Sequence, residues 1–157
     1  MSTRVHRRSS RNWSLAVALV WLGILACCGP GALVSHGGPA KDHVSFVDGL
    51  RGRDFMVEIE GSVQLRFLKA DGTVLRISGG TLTKAAELQS FHYANDRDAE
   101  KDARRIRPDG QPEGMDISWI APPHWFLSGR VLVIYVGTDA AALDLLSELL
   151  GPQFAGA

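Results

Sequence analysis

Gly129-Arg130-Val131-Leu132-Val133-Ile134-Tyr135-Val136-Gly137 decides how the rest of this chain is read. A strand with one face in water alternates apolar and polar residues. Positions 131–136 are apolar at both parities, which predicts a central strand covered on both sides. The flanking sequence must supply both covers. Downstream, Thr138 is placed to cap a closing helix with Leu143, Leu146 and Leu150 along one line, and Gly151-Pro152 stops it. Upstream, Met115, Ile117 and Trp119 alternate as a strand would. That strand runs into a rigid turn at Pro122-Pro123, with His124, Trp125 and Phe126 on the loop that follows.

Further upstream, Asn95 can cap a helix reaching about Arg107. Its first turn holds Asp96 and Asp98, and its last holds Arg104, Arg105 and Arg107, a polarity that suits the macrodipole. The buried stripe is thin: Ala99, Ala103 and Ile106. Leu88 to Tyr93 reads as a strand and Phe55 to Glu60 as a half-buried one. HVSFVDGLR (43–51) reads as a short opening helix on Val44, Val47 and Leu50. Between Val63 and Ser78 the pattern predicts a hairpin. A three-residue loop, Ala70-Asp71-Gly72, pairs Phe67 with Leu75 and Leu65 with Ile77, keeps one face apolar and puts Gly72 at a left-handed position.

The order helix, three or four strands, helix, two strands, helix predicts an α+β domain with a single, mainly antiparallel sheet and helices packed on one face. The other face is left to Phe91, Tyr93, Trp119, Trp125 and Phe126, as a cover or as an exposed patch. Trp119, His124, Trp125 and Phe126 are the candidate interaction patch.

The chain has 157 residues, 45% hydrophobic, with 17 basic and 17 acidic side chains. That neutrality is the sum of unlike parts. Arg4, Arg7, Arg8 and Arg11 precede an apolar run from Trp13 to Cys28, and no acid occurs before Asp42. Without those four arginines, 13 basic and 17 acidic residues remain, a balance of −4. A basic region followed by a short apolar one is the pattern of an export signal, placed at 1–26, with an uncleaved single-pass anchor as the alternative. Ile24-Leu25-Ala26-Cys27 resembles a lipobox, which makes Cys27 the residue expected to carry lipid. Six of the twelve residues from Gly29 to Ala40 are Gly or Pro, so 27–41 reads as a flexible spacer. Both cysteines precede the domain expected at 42–157, which excludes a disulfide framework or thiol catalysis there.

LQSFHYAND (88–96), RIRPDG (105–110), SWIAPPHWF (118–126), GRVLVIYVG (129–137) and LGPQFAGA (150–157), in this order and spacing, resemble an uncharacterised family of small bacterial exported proteins, usually with a lipoprotein-type signal. The resemblance implies an envelope location and one small domain. It implies no activity and no cofactor.

His92, Asp116 and His124 are the set that a metal-assisted hydrolase would use. Their spacing matches no metal motif, so no metal is expected. Ser90, Ser118 and Ser128 lie in no nucleophile signature. Arg97, Lys101, Arg104, Arg105 and Arg107 are interleaved with Asp96, Asp98, Glu100 and Asp102, which reads as a solvated face and excludes nucleic acid as a partner. The expected partners are the membrane, through the N-terminal lipid or anchor, and an envelope protein or a second copy in a homodimer. The sequence thus predicts a non-enzymatic ligand- or protein-binding domain at the cell envelope.

Overall fold

The computed structural model describes residues 37–157. The expected signal, Cys27 and the spacer as far as residue 36 lie outside them. The described chain runs α1 (His43–Arg51), β1 (Phe55–Val63), β2 (Gly72–Gly79), β3 (Ala86–His92), α2 (Asp96–Ala103), β4 (Pro123–Ser128), β5 (Val131–Val136), α3 (Ala140–Leu150) and β6 (Ala155–Gly156). All neighbouring strands pair antiparallel, in the order β1-β2-β3-β5-β4-β6. The fold is α+β.

β5 lies inside the sheet and is buried from Val131 to Tyr135, as its sequence requires. Its residues divide by parity. Val131, Val133 and Tyr135 join a front core with Phe46 and Leu50 of α1, Leu146 and Leu150 of α3, and Leu75, Ile77, Leu88 and Phe126 of the sheet. Leu132 and Ile134 join a back core with Phe91, Trp125, Leu127, Phe67, Leu68, and Ala99 and Ala103 of α2. Two helices therefore share one face, while α2 lies on the other, which corrects the expectation of helices on one face alone. The physical reason is the small-residue stripe. Ala99 and Ala103 let α2 approach the sheet closely beside Trp125.

Local chemistry sets the helix ends. Asp42 accepts from the Ser45 amide at 2.9 Å and Ser45 Oγ accepts from the Asp42 amide at 3.0 Å, a reciprocal cap for α1. Asn95 caps α2 as expected, accepting from the Asp98 amide at 3.0 Å. α3 is capped by Asp139, not Thr138: its carboxylate accepts from the amides of Ala141 and Ala142. Gly151, at φ 87°, ends that helix.

The hairpin differs from its expected register. β1 pairs β2 with Val57 opposite Ile77 and Val63 opposite Gly72, so residues 64–71 form the connection. Phe67 and Leu68 are both buried in the back core, and two consecutive buried side chains do not fit a strand with one wet face. Asp102 of α2 holds them there. It is fully buried, and its Oδ2 accepts from the Lys69 amide at 2.5 Å and the Tyr93 hydroxyl at 3.2 Å. Gly72 keeps a negative φ. A side chain there would strike the Phe91 ring, so close approach explains the glycine.

Three further expectations change. Residues 115–119 pair with no strand; the Gln111 amide brackets Ile117 instead, accepting from its N–H at 2.9 Å and donating to its C=O at 3.2 Å. His124, Trp125 and Phe126 lie in β4 rather than a loop, because they pair with Tyr135, Ile134 and Val133 of β5, and the terminal pair Ala155–Gly156 adds β6 against His124 and Trp125. Gly38 to Lys41 belong to the domain. The buried Ala40 donates to Leu149 O at 3.0 Å, and Lys41 O accepts from the Arg130 amide at 2.7 Å.

The two sheet edges are unequal. β6 is two residues long, while β1 is nine, with a bulge between Ile59 and Gly61 and the acids Glu58 and Glu60. A bulge and like charges discourage pairing with a second β1.

Asp102→Ala leaves the Lys69 amide and the Tyr93 hydroxyl without their buried acceptor. It should lower the unfolding free energy by about 2–4 kcal/mol. Denaturant unfolding of the variant measures this, and a loss under about 1 kcal/mol would mean that Asp102 does not hold the 64–71 connection.

Candidate functional site

The back face is where the cover is incomplete. α2 and the 64–71 connection close it over β4, β5 and the end of β3. Toward Glu87 and Val136 the only cover among the described residues is the irregular segment 117–120. A groove of about 260 Å³ remains between them, lined by Glu87 and Gln89 of β3, Ile134 and Val136 of β5, and Ser118, Trp119 and Ile120. Ile134 makes an apolar floor, buried against the sheet. Ile120 stands at the rim, 98% exposed.

Two residues that line this groove each hold a buried polar atom with no hydrogen-bond partner among the described residues: Trp119 Nε1 and Gln89 Oε1. Leaving such a group unmatched costs about 1–3 kcal/mol. The neighbouring indole shows the usual solution. Trp125, whose ring meets Trp119 edge-on at 6.4 Å, donates its Nε1–H to Gly110 O at 3.0 Å. Gln89 can present its oxygen or, turned over, its nitrogen. Trp119 can only donate, so a group that satisfies its Nε1–H must be an acceptor.

A second depression, beside Arg53, Phe55 and Glu148, is larger. Of its charges, Arg53 binds Glu148 and donates to Gly49 O, while Asp144 has no ion pair among the described residues; none of its lining residues holds a buried polar atom without a partner. The back groove is the better site because its polar atoms are left over.

The expected patch is thus reduced to one member. Trp119 lines the groove; Trp125 and Phe126 are fully buried, facing opposite cores, and cannot form an exposed patch. His124 is buried on the front face, its Nδ1 sharing a 2.7 Å hydrogen bond with Gln153 Oε1 and its ring stacked on Tyr135. Strand alternation predicts all three correctly once they are placed in β4.

His92, Asp116 and His124 are not brought together. His92 is level with Val131 and His124 with Tyr135, four residues apart along β5 or about 13 Å. Asp116 is 88% exposed on the back-face segment and paired with Arg107 at 3.3 Å. Among the described residues no group of three or more His, Cys, Asp or Glu could hold a metal ion. Ser90 meets His43 Nδ1 at 3.3 Å but is fully buried, which closes its hydroxyl to a substrate.

The partner of His92 is His43, at the start of α1, with ring centroids 3.8 Å apart. No local motif announces this pair. Thr73 Oγ1 is 3.0 Å from His92 Nε2, and His92 Nδ1 is buried without a partner. Burial lowers the pKa of both rings, and repulsion from His43 adds to it at His92, which falls to about 4. Asp42 faces His43 and opposes the shift there; Arg130 is bound to Asp42 at 2.9 Å.

No helix among the described residues is long and apolar enough to cross a membrane. No protein-family model, curated protein or solved structure matches the chain.

The histidine pair sets a pH dependence of stability. The unfolded chain takes up protons near 6.5, while folded His92 resists until about 4. Stability should be full above pH 6.5 and fall as the pH drops toward 4, by about 1–2 kcal/mol from His92 once its partial exposure is allowed for. Asp42 acts in a lower window, from 3.8 down to about 2, because its bonds to Ser45 and Arg130 favour the carboxylate. Urea midpoints at pH 7.5 and 5 measure the effect. It should shrink in His92→Gln, and an unchanged slope in that variant would remove His92 as its source.

Proposed function

We propose that this chain is an exported protein held at the cell envelope by a lipid on Cys27, and that its domain binds a ligand without chemical turnover. The observation that carries the binding reading is the pair of unmatched buried polar atoms on one apolar-floored groove, Trp119 Nε1 and Gln89 Oε1. Small ligand sites combine an apolar lining with a few convergent polar groups, and this groove has that composition. The envelope reading rests on the arginine-led apolar segment, the Ile24-Leu25-Ala26-Cys27 sequence and the family resemblance in the C-terminal half. The non-catalytic reading rests on the scattering of His92, Asp116 and His124, and on the burial of Ser90.

A library of small amphipathic compounds, screened by amide and indole NMR on the full chain in detergent, tests the binding reading. Perturbations should gather at Gln89, Trp119 and Val136, and Trp119→Ala should weaken binding at least tenfold. Binders that leave the Trp119 indole resonance unmoved would contradict it. Mass spectrometry of the mature N-terminus tests the anchor: an acylated Cys27 is expected, and an intact Met1 would overturn it.

A further inference from the structure

The back face beside the groove carries an unbalanced charge. Across β1, β2 and β3 the register sets Glu58 opposite Arg76 and Arg76 opposite Glu87, so the three side chains form one cross-strand row. Arg76 makes its ion pair with a fourth residue, Glu60, at 3.5 Å. Three glutamates therefore neighbour one arginine on this face, and Glu87, the one that lines the groove, has no ion pair of its own among the described residues.

Size narrows the ligand further. The groove measures about 260 Å³. That is below the roughly 300–1,000 Å³ of sites that engulf a whole drug-sized ligand. It suits one side chain of a larger partner.

From these features we propose that the groove binds a basic side chain, lysine or arginine, presented by an extended peptide segment of a partner protein. This inference rests on the binding role proposed above and names the ligand. The aliphatic stem lies on Ile134 and Val136 and along the Trp119 indole. The cationic head reaches Glu87 and the Gln89 carbonyl, in the carboxylate surplus of the sheet face. The peptide carbonyl beside that side chain accepts from Trp119 Nε1–H. A peptide-borne cation therefore supplies the three things the groove lacks: positive charge, a donor for Gln89 and an acceptor for Trp119. A free alkylamine supplies only the first two, and an acidic or neutral peptide lacks the first.

N-acetyl-lysine N-methylamide, the norleucine analogue without the charge, and butylamine without the peptide group are the probes. Each is titrated into the full chain in detergent while the Trp119 indole resonance is followed. The lysine compound should bind about fivefold or more tighter than norleucine, a ratio of the size an exposed ion pair gives. That preference should fall close to unity in Glu87→Gln and with added salt. Butylamine should bind more weakly than the lysine compound and leave the indole resonance nearly unmoved. Equal binding of norleucine and lysine compounds, insensitive to Glu87→Gln, overturns the basic-side-chain inference and leaves the binding role standing. Butylamine as tight as the lysine compound overturns the peptide origin. If no probe, charged or neutral, moves the Trp119 resonance while the folded domain's spectrum is retained, the inference fails; the library screen decides the binding role separately.

Discussion

Everything else in this domain follows from burying Val131–Val136 on both faces. Five of its six side chains are buried, and at about 25 cal/mol per Å² of apolar surface that burial is a large local driving force. It cannot be achieved by one layer. The front requires a cover over Val131, Val133 and Tyr135, and the back requires another over Leu132 and Ile134. β4 repeats the division, sending Phe126 forward and Trp125 backward, so neighbouring residues of one strand belong to different cores.

The two covers are made of different material, and this difference separates structure from function. α1 and α3 close the front with whole helical turns of leucine and phenylalanine, and the strap Gly38–Lys41 locks the helix ends to the sheet. The back has one short helix of small residues and two irregular connections, pinned by Asp102 and by the Gln111 amide. Irregular chain cannot tile a twisted sheet completely. Where, among the described residues, segment 117–120 alone covers it, a groove is left whose lining residues Trp119 and Gln89 each hold an unmatched buried polar atom, and a water or a second molecule can satisfy such an atom.

The parts legible in the sequence are those encoded locally. The double-sided strand, the Asn95 cap, the stop at Gly151 and the thin alanine stripe of α2 each need only a few consecutive residues. What escaped is set by distant contacts. Phe67 and Leu68 read as hairpin residues because the side chain that draws their connection away, Asp102, lies 33 residues beyond its partner Lys69. Met115, Ile117 and Trp119 alternate without being a strand because a glutamine side chain does the bonding a neighbouring strand would do. The groove joins β3, β5 and a connection, and its decisive feature is a missing hydrogen bond, which no sequence pattern records. Gln89 was nonetheless within reach: in LQSF it falls on the face opposite Leu88 and Ser90, beside Phe91.

The most direct test of the central claim, that the back groove holds an unmatched indole donor, uses the two tryptophans as a matched pair. Solvent exchange of their Nε1–H protons is measured by NMR on the ligand-free protein. The Trp125 proton, bonded to Gly110 O, should be strongly protected, and the Trp119 proton should exchange far faster despite its burial. Equal protection of the two would mean that Trp119 already has a partner inside the protein, and the groove would lose its claim to be a binding site.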